Sequence, residues 1–145
     1  MLLYNSRAGR GRIVRHLNKI VSIFKQSDID IKPQAIDFGA NPFDGNEDID
    51  IVVVSGGDGT VNYVVNMMHD KGINPQLGII PSGTANDFAG AIGMPRMIVR
   101  AARRIAQGKE HRVDCGEVNG VRFVNVLSFG VLTTTSQQTP EREKQ

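Results

Sequence analysis

The stretch SGGDGTVN, Ser55 to Asn62, follows the apolar run Ile51-Val52-Val53-Val54 and precedes Val61, Val64, Val65 and Met68, which recur at helical spacing. It predicts a buried strand from Ile49 to Val54, a glycine turn, and a helix from about Thr60 to Lys71 that stops at Gly72. Backbone N–H groups at such a helix start, bared by Gly56, Gly57 and Gly59, attract phosphate through hydrogen bonds and the helix dipole. Two familiar versions do not fit. A GK[ST] sequence is absent, and Asn62 stands where the third glycine of G-x-G-x-x-G would be. Asp58 is the odd member, because a carboxylate among phosphates is repulsive unless a cation or a transferable proton lies between them. A magnesium-bound nucleotide supplies the first and an attacking hydroxyl the second, and phosphoryl transfer uses both. The alternative is that Asp58 satisfies turn amides, as aspartate often does.

Two other segments share this design. PSGTANDF, Pro81 to Phe88, follows the short apolar strand Leu77 to Ile80 and leads into a short helix ending near Gly93. NSRAGRG, from Asn5, follows the apolar run Met1 to Tyr4 and precedes Ile13, Val14, Leu17, Ile20, Val21 and Phe24, again at helical spacing. Each alone could be a capping turn. Ile29 to Ile36, broken by Pro33, predicts an edge-like strand, FGANPFDGNED from Phe38 to Asp48 a loop, and Ile98 to Ala106 a further helix. Strands alternating with helices predict an α/β, doubly wound, mainly parallel sheet covered on both faces. Loops at the C-terminal ends of its strands would face one crevice, where open α/β sheets bind ligands.

The pattern changes after residue 109. Val113 to Val118, Asn119-Gly120 and Val121 to Leu127 give a hairpin signal, since Asn-Gly suits the positive φ values of a type I′ turn. Residues 1–109 are therefore predicted to form a nucleotide-binding α/β domain, and residues 110–145 the start of a truncated, β-rich second domain. Two strands rarely stand alone in water, so self-association through residues 113–130 is expected.

Composition sets outer bounds. The 145 residues, 40% of them hydrophobic, can bury one core. A net charge of +2 does not announce a nucleic-acid partner, and the arginines near the N-terminus and from Arg96 to Arg104 suit solvated helix faces. A single cysteine, Cys115, excludes an internal disulfide and fits a reducing compartment. Nothing approaches the ~18–20 apolar residues that span a bilayer. The expectation is a cytoplasmic protein whose membrane contact is peripheral.

SGGDGTVN followed by LGIIPSGTANDFA resembles the catalytic domain of the diacylglycerol kinase family, the bacterial soluble lipid kinases in particular. The related NAD kinases share GGDGT but lack the second segment. NSRAGRG is similar to the family's first loop, and VDCGEVNGVRFVNVLSFG to the first hairpin of its β-sandwich second domain. The resemblance implies that Asn5, Ser6, Arg7, Ala8 and Gly9 lie along an ATP molecule. It implies that Gly57, Asp58, Gly59, Thr60, Val61, Asn62, Gly83 and Thr84 hold its phosphates. Asp58 would be catalytic and, with Asp114, would join a Mg²⁺–water network. The chain departs from the family at Ser6, where proline is usual, at Asp37, where threonine often ends the second strand, and at Tyr63, where glutamate usually follows the asparagine. The family's general base lies past Gln145. The implied reaction is transfer of the ATP γ-phosphoryl group to the hydroxyl of a diacylglycerol-like membrane lipid at the inner membrane face. This chain would be the nucleotide-binding half and inactive alone. The alternatives are a kinase for NAD or a sphingoid base, or a non-catalytic nucleotide-binding module.

Overall fold

A computed structural model describes residues 1–46, 48–108 and 110–124. Four strands form one sheet: β1 (Leu2–Tyr4), β2 (Pro33–Ala35), β3 (Ile51–Gly56) and β4 (Gln76–Pro81). Their order is β2-β1-β3-β4 and every pairing is parallel, with Leu3 opposite Val54 and Val54 opposite Ile79. The chain thus runs to one edge from β1 and to the other from β3. The gap between these two central strands is the topological switch point, where such sheets open a crevice. β2 is an edge strand, as Pro33 required, because proline cannot donate to a second neighbour.

Alternate strand residues face opposite ways. Leu2, Val53 and Ile80 pack with Ile20 and Phe24 of α1 (Leu17–Lys25) and with Ala101 and Ala102 of α4 (Ile98–Gln107). Leu3, Val52, Val54 and Ile79 pack with Val61, Val64 and Met68 of α2 (Asp58–Asp70) and with Phe88 and Ala89 of α3 (Asp87–Ala91). Both faces are covered, which explains why Ile51 to Val54 reads as an unbroken apolar run. Among the described residues no helix is long and apolar enough to cross a membrane.

The strand expected over Ile29 to Ile36 is confined to Pro33–Ala35 and the one expected over Val113 to Val118 to Gly116–Val118, and two helix starts also differ from the sequence expectation. The helix expected from Ile13 becomes α-helical only at Leu17, because Ala8–His16 is a 3₁₀ segment with left-handed residues inside it, Gly9, Arg10 and Gly11 at φ of 54°, 61° and 69°. The left-handed turn sets the chain's direction and the tighter 3₁₀ winding feeds the α-helix. The helix expected from Thr60 starts at Asp58, with the Gly57 carbonyl accepting the N–H of Thr60 at 3.0 Å and of Val61 at 3.1 Å. A glycine-flanked aspartate looks like loop in sequence, yet acidic residues suit a first helical turn.

Strands β5 (Gly116–Val118) and β6 (Val121–Phe123) form an antiparallel hairpin, closed by Asn119 and Gly120 at φ of 50° and 78°. The extension to Leu127 and the association expected through residues 113–130 reach outside the described residues.

Candidate functional site

Three turns meet at the C-terminal ends of β1, β3 and β4. The Asn5 N–H donates to the Ser55 carbonyl at 2.9 Å, and the N–H groups of Ser82 and Gly83 donate to the Gly56 carbonyl at 3.0 and 3.3 Å. Beneath them Ser55 Oγ donates to Ser82 Oγ at 3.0 Å, both residues fully buried. The turns touch backbone to backbone. A Cβ at Gly83 would stand 2.5 Å from the Gly57 Cα, and one at Gly9 would stand 2.1 Å from the Ser82 carbonyl oxygen. These two glycines are needed for the turns to meet, whatever binds above them.

Gly59 is different. It lies exposed in the first turn of α2, and a Cβ there would meet nothing within 4 Å. Alanine in a helix is worth roughly 1 kcal/mol over glycine, so the protein's own packing gives no reason for this residue. Thr60 and Val61 donate to Gly57, which leaves the amides of Asp58 and Gly59 as the uncommitted donors of this turn among the described residues.

Asp58 bridges the first turn to the second. Its Oδ1 accepts the Phe88 N–H at 2.9 Å and its Oδ2 accepts the Asp87 N–H at 3.1 Å. The carboxylate therefore sits at the start of its own helix while capping the start of α3, favoured by both helix dipoles. Each oxygen keeps a lone pair, since a carboxylate has about four acceptor sites. The second turn is closed by Asn86, left-handed at φ 57°, whose side chain accepts from the Gly83 N–H at 2.9 Å and donates to the Gly83 carbonyl at 2.8 Å. Thr84 lies exposed at its tip.

Other expected residues are placed less simply. Asn5 Nδ2 donates to Thr60 Oγ1 at 3.3 Å, so Thr60, 6% exposed, gives its hydroxyl to the neighbouring turn. Asn5 Oδ1 accepts the Arg7 N–H at 3.0 Å, turning the exposed residues Ser6 and Arg7 along the crevice wall ahead of Ala8. Val61 is buried in the core. The Asn62 side chain points to the hairpin, accepting the Val124 N–H at 3.0 Å. Asp114 is exposed ahead of β5, and among the described residues no three His, Cys, Asp or Glu side chains gather as a metal site.

Two features escape a reading of the sequence. Asn66, one turn after Asn62, accepts the Arg122 N–H at 2.8 Å and donates to the Arg122 carbonyl at 2.8 Å. Spacing of four residues puts both asparagines on one helix face, the only signal available. Tyr63, where the resemblance led one to expect glutamate, donates its hydroxyl to the Ala40 carbonyl at 2.7 Å and reaches that of Asp37 at 3.3 Å. Its ring packs against Phe38, centroids 4.9 Å apart. Burial, then the charge of Asp37, holds its phenol above the ordinary tyrosine pKa. The two departures at Asp37 and Tyr63 are thus one unit, which ties the loop after β2 onto α2.

Residues 1–118 match the family of the diacylglycerol kinase catalytic domain. The diacylglycerol kinase of Bacillus subtilis (strain 168) is 34% identical over 149 residues, 99% of this chain and 49% of that protein. That of Staphylococcus aureus (strain NCTC 8325 / PS 47) is 41% identical over 99 residues, 68% of this chain and 31% of that protein. A crystal structure of a diacylglycerol kinase from Bacillus anthracis str. Sterne superposes with a TM-score of 0.73 at 34% identity, covering 86% of this chain and 45% of the other. The chain thus spans no more than about half the length of these relatives.

Proposed function

Because the chain belongs to the diacylglycerol kinase catalytic-domain family, we propose that it is the nucleotide-binding part of a lipid kinase, one that transfers the γ-phosphoryl group of a magnesium-bound nucleoside triphosphate, ATP by the family resemblance, to the hydroxyl of a diacylglycerol-like lipid. Gly59 carries this reading. A glycine that costs helix stability, with empty space above it, marks where something from outside approaches the backbone. The amides of Asp58 and Gly59 at a helix N-terminus are the donors a phosphate would take.

Magnesium, which usually keeps several waters and takes one or two carboxylates plus phosphate oxygens, suits a site with few acidic groups. Asp58, through its remaining lone pairs, is the residue that would meet its hydration shell, with Asp114 as the second carboxylate. The ion would neutralise phosphate charge. The chain's own share is positioning: Asp58 fixes one turn against the other, and Gly83 lets them touch.

Calorimetric titration of Mg²⁺–ADP into the 145-residue chain, wild type and Gly59→Val, tests the reading. Loss of affinity in a variant whose circular dichroism is unchanged supports it. Equal affinity, or no binding by wild type, overturns the assignment of this turn. Incubation of the full-length protein with labelled ATP and separate diacylglycerol, sphingoid base and NAD acceptors decides the substrate.

A further inference from the structure

Residues 5–27 and 92–108, which form the turn after β1, the 3₁₀ segment, α1 and the run from Ile92 through α4, hold ten of the 17 lysines and arginines and none of the 15 aspartates and glutamates. One layer of the fold is basic and the remainder acidic. Helices α1 and α4 pack side by side on the same face of the sheet. On α4 the buried residues are Ile98, Ala101 and Ala102, and Arg100, Arg103 and Arg104 lie exposed on the opposite side of the helix. Lys19 and Lys25 are exposed on α1, Arg12 and Arg15 on the 3₁₀ segment ahead of it.

A solvated helix face ordinarily mixes signs, because opposite charges three or four residues apart stabilise a helix and like charges oppose it. Here Arg103 and Arg104 stand three and four residues from Arg100, and among the described residues no ion pair reaches α4. Folding gains nothing from that spacing. Apolar side chains accompany the charge: Val14, Ile92 and Met97 are 49, 37 and 58% exposed. Val14 lies between β1 and α1, and the other two between α3 and α4. Because α4 runs back along β4, with Ile105 against Gly78, all three stand at the end of the layer where the strands finish and the crevice opens. Cations around protruding aliphatic side chains suit an anionic bilayer, whose phosphates draw the guanidinium groups while the apolar tips enter the acyl boundary. A nucleic acid is served less well, since Phe24, the layer's one phenyl ring, is fully buried and offers bases no platform.

We propose that the outer face of α1 and α4, with Val14, Ile92 and Met97 at its crevice end, docks the protein on an anionic lipid surface. The proposal rests on the lipid-kinase reading above for its purpose and names the face that meets the membrane.

Sedimentation of the 145-residue chain with phosphatidylcholine vesicles, alone or with about a third phosphatidylglycerol, tests it without nucleotide. The chain should bind the mixed vesicles, and release them at high salt. Arg100→Gln and Arg103→Gln should each lower partitioning about fivefold, the equivalent of roughly 1 kcal/mol for each basic residue near such a surface. Lys32→Gln, exposed but outside the layer, should leave it unchanged. Equal binding to both vesicles, or equal losses at Lys32 and Arg100, overturns the proposal. Met97→Ser should weaken vesicle binding as well. Binding to a DNA duplex that matches vesicle binding and ignores Met97→Ser assigns the face to nucleic acid and also overturns it. The nucleotide crevice is judged separately, by titrating Mg²⁺–ADP into the same wild-type chain, so either reading can fail while the other stands.

Discussion

Asp58 Oδ1 accepts the backbone N–H of Phe88 at 2.9 Å, across a gap of thirty residues in the chain. That bond, with its partner to Asp87, accounts for an acidic residue at the head of a phosphate-type turn: the carboxylate is occupied by amides of the next turn before any ligand arrives.

Replacing Asp58 with Asn should therefore cost stability as well as charge. The amide NH₂ would face a backbone N–H, and one of the two bonds is lost. A drop of about 1–2 kcal/mol in unfolding free energy is expected from urea titration. A variant as stable as wild type would show that the bridge to α3 contributes nothing. Any fall in turnover of the full-length protein has to be larger than this loss explains before Asp58 is assigned to chemistry.

Gly83 and Gly59 should respond oppositely to alanine. At Gly83 the new Cβ would push against the Gly57 backbone, and about 1–3 kcal/mol should be lost. At Gly59 the Cβ is unopposed, so thermal stability should rise by the equivalent of roughly 1 kcal/mol. Nucleotide affinity should fall in Gly59→Ala despite the gain. Calorimetric melting and titration on the same samples check both signs.

Removing Asn66 should loosen the hairpin without touching the sheet. Asn66→Ala deletes two bonds to Arg122, each worth about 0.5–1.5 kcal/mol. Hydrogen exchange should speed up at Arg122 and Val124 and remain unchanged at Val53 and Val54. Unchanged exchange at Arg122 would mean the hairpin is held by other contacts.

Tyr63 should ionise above the ordinary ~10 of tyrosine. Its folded pKa is raised, so its contribution to stability is complete below the unfolded value and is lost as pH climbs through the folded one. The tyrosinate absorbance of wild type minus Tyr63→Phe, followed against pH, isolates its titration from that of Tyr4. A midpoint at or below the ordinary value would contradict the burial seen here.

The parallel sheet, its edge at β2 and the two covering layers are legible in local patterns: Ile51 to Val54 for a strand buried on both sides, Val61, Val64 and Met68 for the helix after it, Pro33 for the edge. The three turns are legible for the same reason, each being glycine-containing and each following a strand. What the side chains of Asp58 and Asn62 touch is not legible in the sequence, because Phe88 and Val124 are thirty and sixty-two residues away. The start at Asp58 and the left-handed stretch through Arg10 depend on how turns pack together, which no nearest-neighbour pattern encodes.

Helix α2 also acts as a ruler. Its first residue stands at the glycine turn after β3, and Asn62 and Asn66 hold Val124 and Arg122 at the end of the hairpin one and two turns further on, so at 1.5 Å per residue the hairpin is indexed about 6 and 12 Å from that turn. The indexing is angular as well as linear. One residue inserted between Thr60 and Asn62 would swing the grip by about 100° and carry β6 off the helix face. The length of this short segment is therefore constrained more tightly than its side chains, and any surface built outward from β6 would inherit its distance to the glycine turn from α2.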